Sequence, residues 1–216
     1  MPLHNLRPAV RSRLATTTGG VMLVLATIGC AGATTAAAGS RGPAPGTIKL
    51  RVASVSMEPT LKPGATITVD LHAYSHKGPL IGDIIVFHPP TGADSDPPVC
   101  AAPRQGLDRN SGGTFPQACG RSTPHKSGTK LVERVVGLPG DKIKILNGHV
   151  IRNGVRERDS YIAGCDGARS CDFPKPIVVP RGQYFTLGDN RGDSDDGRFW
   201  GPIHRSWVLG KVIAHT

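Results

Sequence analysis

The sequence predicts a mainly β domain of antiparallel sheets, preceded by one N-terminal transmembrane helix. Three observations support this fold class. Short runs of alternating or β-branched residues recur along most of the 216-residue chain, turn signals separate them, and a long uncharged segment lies near the N-terminus. The 28 Gly and 19 Pro residues favour many turns over long helices.

The uncharged segment covers residues 14–39 and is long enough to cross a bilayer core of about 30 Å as a helix. Residues 1–13 carry three arginines and no acid, which predicts a cytoplasmic N-terminus and a single pass through the plasma membrane. A cleaved secretory signal is an alternative, because "AGATTAAAG" offers small-residue cleavage sites. A lipid-modified Cys30 is a second alternative. Each interpretation places residues 40–216 on the extracytoplasmic side.

Residues 40–48 are predicted to be a linker, and residues 49–216 one exported domain. Its strand-like runs are "IKLRVAS", "TITVDL", "DIIVFH", "LVERVV", "KIKIL", "HVIRNG", "PIVV", "YFTLG" and "VLGKVIAH". We expect them to form a sandwich or an incomplete barrel. Residues 89–128, rich in Pro, Gly, Ser and Asp, are predicted to be a long surface insertion. Residues 147–180 are predicted to form a small sub-domain, with a hairpin followed by two cysteines.

Four cysteines follow Cys30 and allow three pairings. The nearest-neighbour pairing, Cys100 with Cys119 and Cys165 with Cys171, closes two local loops and is favoured. Metal binding is the alternative, but the chain has no C-x-x-C pair and no nearby paired histidines. We therefore predict two disulfides, which suit an oxidising compartment, and no metal.

The formal net charge of +10 raises the question of nucleic-acid binding. The Lys and Arg residues are scattered and aromatic residues are few, so the chain shows neither a basic run nor a stacking platform. Nucleic acid is therefore not a predicted partner. A basic protein is equally suited to work beside an anionic membrane surface.

The stretch "KLVERVVGLPGD", residues 130–141, is strand-like and ends in a turn. Side chains alternate between the two faces of a strand, so Glu133 lies on the same face as Leu131 and Val135. A carboxylate on an apolar face is unfavourable unless a partner compensates it. Glu133 is therefore a surface residue on an edge strand, half of an ion pair, or part of a reactive site.

Two other stretches contain residue types that carry chemistry. In "SVSMEPTL", residues 54–61, Ser54 and Ser56 share a face just before a Pro-stiffened turn. This pattern suits a nucleophile at a strand end, and also a simple hydrogen-bonded turn. The loop "GDNRGDSDDGRFWG", residues 188–201, has four aspartates and two arginines. Calcium binding and bracing by Asp–Arg pairs are the two interpretations, and the spacing of an EF-hand is missing.

Four motifs in order, "SMEPTL", "GDIIVF", "RVVGLPGD" and "GDNR…S.D.R.WG", resemble the motif set of the type I signal peptidases. The resemblance covers roughly residues 50–215. It implies a membrane-anchored serine endopeptidase with antiparallel sheets coiled as in signal peptidase catalytic domains. Such enzymes remove signal peptides from exported preproteins, after small residues at the −3 and −1 positions. We expect a monomer that needs no cofactor.

The resemblance also implies roles for individual residues. Those of the catalytic centre are Ser56 (nucleophile), Ser54 (oxyanion hydroxyl), Ser194 (orientation of the general base), and Asp196 with Arg198 (supporting ion pair). The residues of the turn that presents them are Asp189, Asn190 and Arg191.

Glu133 is where the sequence departs from the family. Members with a Ser/Lys dyad have Lys-Arg before the apolar pair, and aligning Arg134 with that arginine places Glu133 at the position of the general-base lysine. In one interpretation Glu133 is a carboxylate base whose pKa is raised by desolvation. In a second, Lys130 replaces the lysine through a bulge. In a third, the fold is retained in a catalytically inactive homologue that binds exported chains.

Overall fold

The computed structural model describes residues 46–102, 116–165 and 171–216. The predicted cytoplasmic N-terminus and transmembrane segment, residues 1–39, lie outside the described residues. Within the described ranges, no helix is long and apolar enough to cross a membrane.

The described residues form two antiparallel sheets, which confirms the predicted mainly β fold. The seven-stranded main sheet has the order β1-β2-β11-β3-β4-β9-β10, and the four-stranded second sheet has the order β7-β6-β5-β8. The strands are β1 (Thr47–Arg51), β2 (Thr66–Asp70), β3 (Ile84–Phe87), β4 (Leu131–Gly137), β5 (Lys142–Leu146), β6 (His149–Arg152), β7 (Val155–Arg156), β8 (Phe173–Val178), β9 (Gln183–Leu187), β10 (Ile203–His204) and β11 (Val208–His215).

Each predicted strand-like run overlaps one of these strands, although β8 begins three residues before the predicted run "PIVV". The sequence reasoning missed only β7 and β10 among the described strands. Both have two residues, which is too short for an alternating pattern. A single α-helical turn, α1 (Gly197–Trp200), lies in the described part of the chain. The Asp196 carboxylate caps it by accepting a hydrogen bond from the backbone N–H of Arg198.

The centre of the main sheet is buried on both faces. Consecutive residues of β3 point to opposite sides, so Ile85 and Phe87 join a large hydrophobic cluster while Val86 joins a smaller one. The large cluster also contains Ile143 and Phe173 of the second sheet, and therefore packs both sheets into one core. Strand β4 lies between β3 and β9 in this doubly covered region.

Parts of the predicted surface insertion, residues 89–128, pack against the domain. Ala93 and Ala118 are buried in the large hydrophobic cluster. The backbone N–H of Cys119 donates to the carbonyl of Arg198, a residue of the short helix α1, at 2.8 Å. The described flanks of the insertion are therefore built into the core and do not simply cover it.

The two predicted disulfides are confirmed. The Cα atoms of Cys100 and Cys119 are 5.8 Å apart, and those of Cys165 and Cys171 are 6.0 Å apart. The second disulfide lies beside the second sheet, where the backbone N–H of Gly148 donates to the Cys171 carbonyl. That sheet begins at β5, ahead of the residues 147–180 that the sequence predicts as a sub-domain.

Candidate active site

Ser54 and Ser56 lie in the segment that leaves β1. Their Oγ atoms are 3.0 Å apart, within hydrogen-bond distance. Ser54 is exposed and Ser56 is half-buried. The segment is held by two side chains of the smaller hydrophobic cluster, because Met57 and Leu61 are fully buried there. Ser56 is thus presented on a fixed backbone.

The turn at residues 188–191 holds the backbone of Ser56 directly. The N–H of Asn190 donates to the Ser56 carbonyl at 2.9 Å, and its side-chain amide donates to the Val55 carbonyl at 3.2 Å. Gly188 faces the same carbonyl so closely that an added Cβ would lie 2.5 Å from it and would overlap Ser194 Oγ. The position therefore requires glycine for space.

A buried ion pair ties this turn to β4. Arg134 donates through Nε and Nη2 to the two carboxylate oxygens of Asp189, at 2.8 and 2.6 Å. Thr60 also donates to Asp189, at 2.5 Å, which links the serine segment to the same carboxylate. Asp189 is fully buried, so its charge is compensated only within the protein. The sequence predicts the turn but missed the contacts of Asp189 with Arg134 and Thr60.

Asp196 and Arg198 form the ion pair that the sequence predicts. Arg198 Nε and Nη2 donate to the two Asp196 oxygens at 2.8 and 2.9 Å, and both residues are fully buried. Arg198 also donates to the carbonyls of Arg191 and Ser194. The pair therefore fixes the loop that carries Ser194.

Ser194 is buried, and its Oγ has no hydrogen-bond partner among the described residues. It occupies the space that a side chain at Gly188 would take. Arg134 of β4 pairs with Leu187 of β9 in an antiparallel register. Continuing this register by one residue places Gly188 opposite Glu133. The Ser194 hydroxyl is thereby placed near the Glu133 position.

Glu133 lies in the centre of the main sheet and is only 2% exposed. It pairs with Ile85 of β3, so the interpretation of Glu133 as a surface residue on an edge strand is wrong. Its Oε2 atom has no hydrogen-bond partner among the described residues. A buried carboxyl with an unpartnered oxygen favours its neutral, protonated form.

The environment of Glu133 raises the pKa of its carboxyl well above the ordinary value of 4.5. Burial is the largest cause, and the negative charge of Asp196 adds to it. The Thr186 hydroxyl and the Arg198 guanidinium oppose the rise without cancelling it. This is the direction in which a catalytic carboxyl must be shifted to work near neutral pH.

Ser56 and Glu133 line one cleft, with a volume of about 740 Å³. Ser54 and the exposed Lys130 also line it. The insertion contributes residues 93–96 to the same lining, which the sequence does not reveal. These residues are more than 30 positions from Ser56 and from Glu133 in the sequence. Nothing in their composition indicates that they would line the same cleft.

The aspartates of residues 188–201 do not form a calcium loop. Asp189 and Asp196 are engaged with Arg134 and Arg198, as the bracing interpretation requires. Across residues 46–102, 116–165 and 171–216, no group of three or more His, Cys, Asp or Glu side chains is arranged to hold a metal ion.

A mainly β domain with a paired serine at a strand end, in a cleft beside a buried carboxyl, fits the serine peptidase class. Residues 46–216 match the family model described as "Signal peptidase, peptidase S26". The chain therefore belongs to the type I signal peptidase family.

Several relatives support this membership. The chain is 31% identical over 163 residues to a probable signal peptidase I-1 of Synechocystis sp., covering 75% of this chain and 67% of that protein. It is 30% identical to a probable signal peptidase I-2 of the same organism, covering 75% of this chain and 59% of that protein. The chain is 28% identical to a signal peptidase IB of Staphylococcus aureus, covering 73% of this chain and 71% of that protein. The chain thus spans roughly three fifths to seven tenths of these relatives' lengths.

A crystal structure of a signal peptidase I from Enterococcus faecalis also matches. The match covers 64% of this chain and 98% of that one, with 23% sequence identity and a TM-score of 0.36.

Proposed function

We propose that the chain is an active signal peptidase I-type serine endopeptidase, which removes signal peptides from exported preproteins through an acyl-enzyme at Ser56. The observation that carries the proposal is that Ser56 and the buried carboxyl of Glu133 line one cleft. Small residues at the −3 and −1 positions of the preprotein would occupy two shallow pockets, with the substrate bound as an added strand.

In the proposed reaction Ser56 Oγ attacks the scissile carbonyl and its proton passes to Glu133. The Ser54 hydroxyl, 3.0 Å from Ser56 Oγ, and the Ser56 backbone N–H stabilise the oxyanion. The tetrahedral intermediate releases the amine of the mature protein, which takes the proton back from Glu133. Water activated by the same carboxylate then hydrolyses the ester and frees Ser56.

The raised pKa of Glu133 is what makes a carboxylate useful in this role. An ordinary carboxylate is too weak a base for a serine hydroxyl, whereas one titrating closer to neutral pH accepts the proton more readily. The buried Ser194 hydroxyl is suited to orient this carboxylate. Asp196 and Arg198 hold the Ser194 loop in place.

The same family membership supports the proposed setting. We infer a monomer held at the plasma membrane by residues 14–39, with the N-terminus cytoplasmic and residues 49–216 on the extracytoplasmic side. The uncharged segment and the arginines before it support this orientation.

A second candidate function is binding without cleavage. It is favoured by the burial of Glu133, because a carboxyl that stays protonated cannot accept the Ser56 proton. Such a protein would hold exported chains in the cleft and release them uncut.

The deciding experiment is cleavage of a preprotein with an A-x-A site by the purified full-length chain in detergent. Wild type, Ser56→Ala, Glu133→Gln, Glu133→Lys and Lys130→Ala are compared. The proposal requires cleavage by wild type, at a rate that rises with pH as Glu133 ionises, and loss of cleavage in Ser56→Ala and Glu133→Gln. Full activity in Glu133→Gln with loss in Lys130→Ala would make Lys130 the base. An inert wild type with an active Glu133→Lys would establish the binding function.

A further inference from the structure

We propose that the cleft selects substrates that carry a basic residue next to the small residues of the cleavage site. The selecting groups are aspartates of the insertion and of the loop that carries Ser194. This inference rests on the proposed function, because it assigns a substrate preference to the same cleft. The insertion, residues 89–128, lies outside the four sequence motifs.

The first acidic group belongs to the insertion and is held firmly. Asp94 and Asp96 are exposed and line the cleft. Thr129, just before β4, donates from its hydroxyl to Asp94 at 2.7 Å. Ala93 is buried in the core, and the backbone of Thr91 is bonded to His125. The Asp94 carboxylate is therefore fixed beside the strand that carries Glu133, and Asp96 lies two residues further along the same segment.

The second acidic group comes from the loop that holds Ser194. Asp193 and Asp195 are exposed and also line the cleft. The cations in the lining are Arg51 and Lys130, and even without Asp195 the aspartates Asp94, Asp96 and Asp193 outnumber them. This is the reverse of the whole chain, whose net charge is +10. A cleft with a local excess of negative charge attracts cationic ligands.

A separate observation indicates that the cleft is built for a ligand that forms hydrogen bonds. Glu133 lines the cleft, is 2% exposed, and its Oε2 atom lacks a hydrogen-bond partner in the described part of the chain. A buried carboxyl oxygen without a partner is unfavourable, and a bound peptide supplies both hydrogen-bond donors and acceptors. The unsatisfied oxygen therefore marks the cleft as a site for a peptide, and the acidic lining favours peptides that carry positive charge.

The test uses A-x-A peptides that differ only in whether the flanking residues are Lys, Gln or Glu. Dissociation constants are measured with full-length Ser56→Ala, and kcat/KM with the cleaving enzyme. We expect Lys peptides to bind about 3- to 10-fold more tightly than Gln peptides, with Glu peptides weakest. The preference should shrink in the double variant Asp94→Asn with Asp96→Asn, and in 0.5 M salt. Asp172→Asn, an exposed acid outside the cleft lining, is the matched control and should keep it.

The outcomes separate this inference from the proposed function. Equal binding of Lys and Glu peptides by Ser56→Ala overturns the charge preference, even if wild type cleaves. A preference that the aspartate double variant leaves unchanged overturns the assignment to the insertion. If wild type cleaves nothing and Ser56→Ala still prefers Lys peptides through Asp94 and Asp96, the preference stands and the peptidase proposal fails.

Discussion

The Glu133 carboxyl lies in an environment very different from water, because it is buried in the centre of the main sheet. Transfer of an ionised carboxylate into an apolar interior is strongly unfavourable, and the group responds by keeping its proton. Arg198 offsets part of this effect, while Asp196 strengthens it. The same burial that makes Glu133 a candidate base therefore makes the folded state sensitive to pH.

We predict that the free energy of unfolding falls as pH rises above the ordinary carboxyl pKa of 4.5 and on through the raised pKa of Glu133. In that window the folded state keeps a proton that the unfolded state has lost, so each pH unit removes up to about 1.4 kcal/mol. Urea unfolding at a series of pH values measures this.

Glu133→Gln, which cannot titrate, is the control for this pH dependence. The variant should lose this component of the slope and should match wild type best at low pH, where Glu133 is protonated in both states. Identical pH profiles for the two proteins would contradict the raised pKa.

At the level of elements, β4 connects Glu133 with the turn that holds the backbone of Ser56. It carries Glu133 into the cleft on one face and sends Arg134 to the carboxylate of Asp189. Asp189 in turn belongs to the turn in which Asn190 holds the Ser56 carbonyl. The position of the nucleophile thus depends on an ion pair that does not line the cleft.

Asp189→Ala is expected to lower the free energy of unfolding by about 3–5 kcal/mol, because it leaves Arg134 largely buried without its partner. Urea unfolding at pH 7 measures the change. The control is Glu157→Ala, which breaks the pair with Arg152, a side chain 32% exposed. That variant should lose no more than about 1 kcal/mol. Equal losses in the two variants would contradict the structural role of the Arg134–Asp189 pair.

Gly188→Ala should reduce cleavage about 100-fold, since the new methyl group would displace the Ser56 carbonyl and Ser194 Oγ. Overpacking of this kind should also lower the free energy of unfolding by about 1–3 kcal/mol. The kinetic measurement is kcat/KM on an A-x-A peptide, with unfolding followed separately. Gly128→Ala, where nothing lies within 4 Å of the added atom, is the control and should be neutral in both. Full activity in Gly188→Ala would show that the turn tolerates displacement.

The sequence predicts the elements well because each strand of four or more residues shows its own alternating or β-branched pattern. The composition of the loop predicts bracing by Asp–Arg pairs, and the resemblance to the family implies which two residues, Asp196 and Arg198, form one of them. The sequence does not predict that Asp94 lines the cleft, because that contact joins segments far apart in the chain. Nor does it predict the hydrogen bond from Thr60 to Asp189, because that contact depends on how the turn at residues 188–191 packs onto the segment that carries Ser56.

At the level of the whole molecule, two disulfides restrict the unfolded chain to different extents. Cys100 and Cys119 are 19 residues apart, and Cys165 and Cys171 are 6 apart. Chain-entropy arguments give a stabilisation of about 3 kcal/mol for the longer loop and about 2 kcal/mol for the shorter one.

We therefore predict that Cys100→Ala with Cys119→Ala destabilises the protein more than Cys165→Ala with Cys171→Ala, by about 1 kcal/mol. Urea unfolding of the two double variants without reductant makes the comparison. Adding reductant to wild type should reproduce the sum of the two losses. The reverse order would show that native contacts around the second disulfide outweigh loop entropy.

The packing of the insertion has a consequence for protein engineering. Ala93 and Ala118 fill the core, Cys119 bonds to the backbone of Arg198, and Asp94 is tied to Thr129. Replacing residues 89–128 with a tight turn would therefore leave a cavity in the core. It would also remove a backbone hydrogen bond to Arg198, which holds the loop that carries Ser194. A minimised version of this domain has to retain both flanks of the insertion, and any shortening has to be confined to the stretch between them.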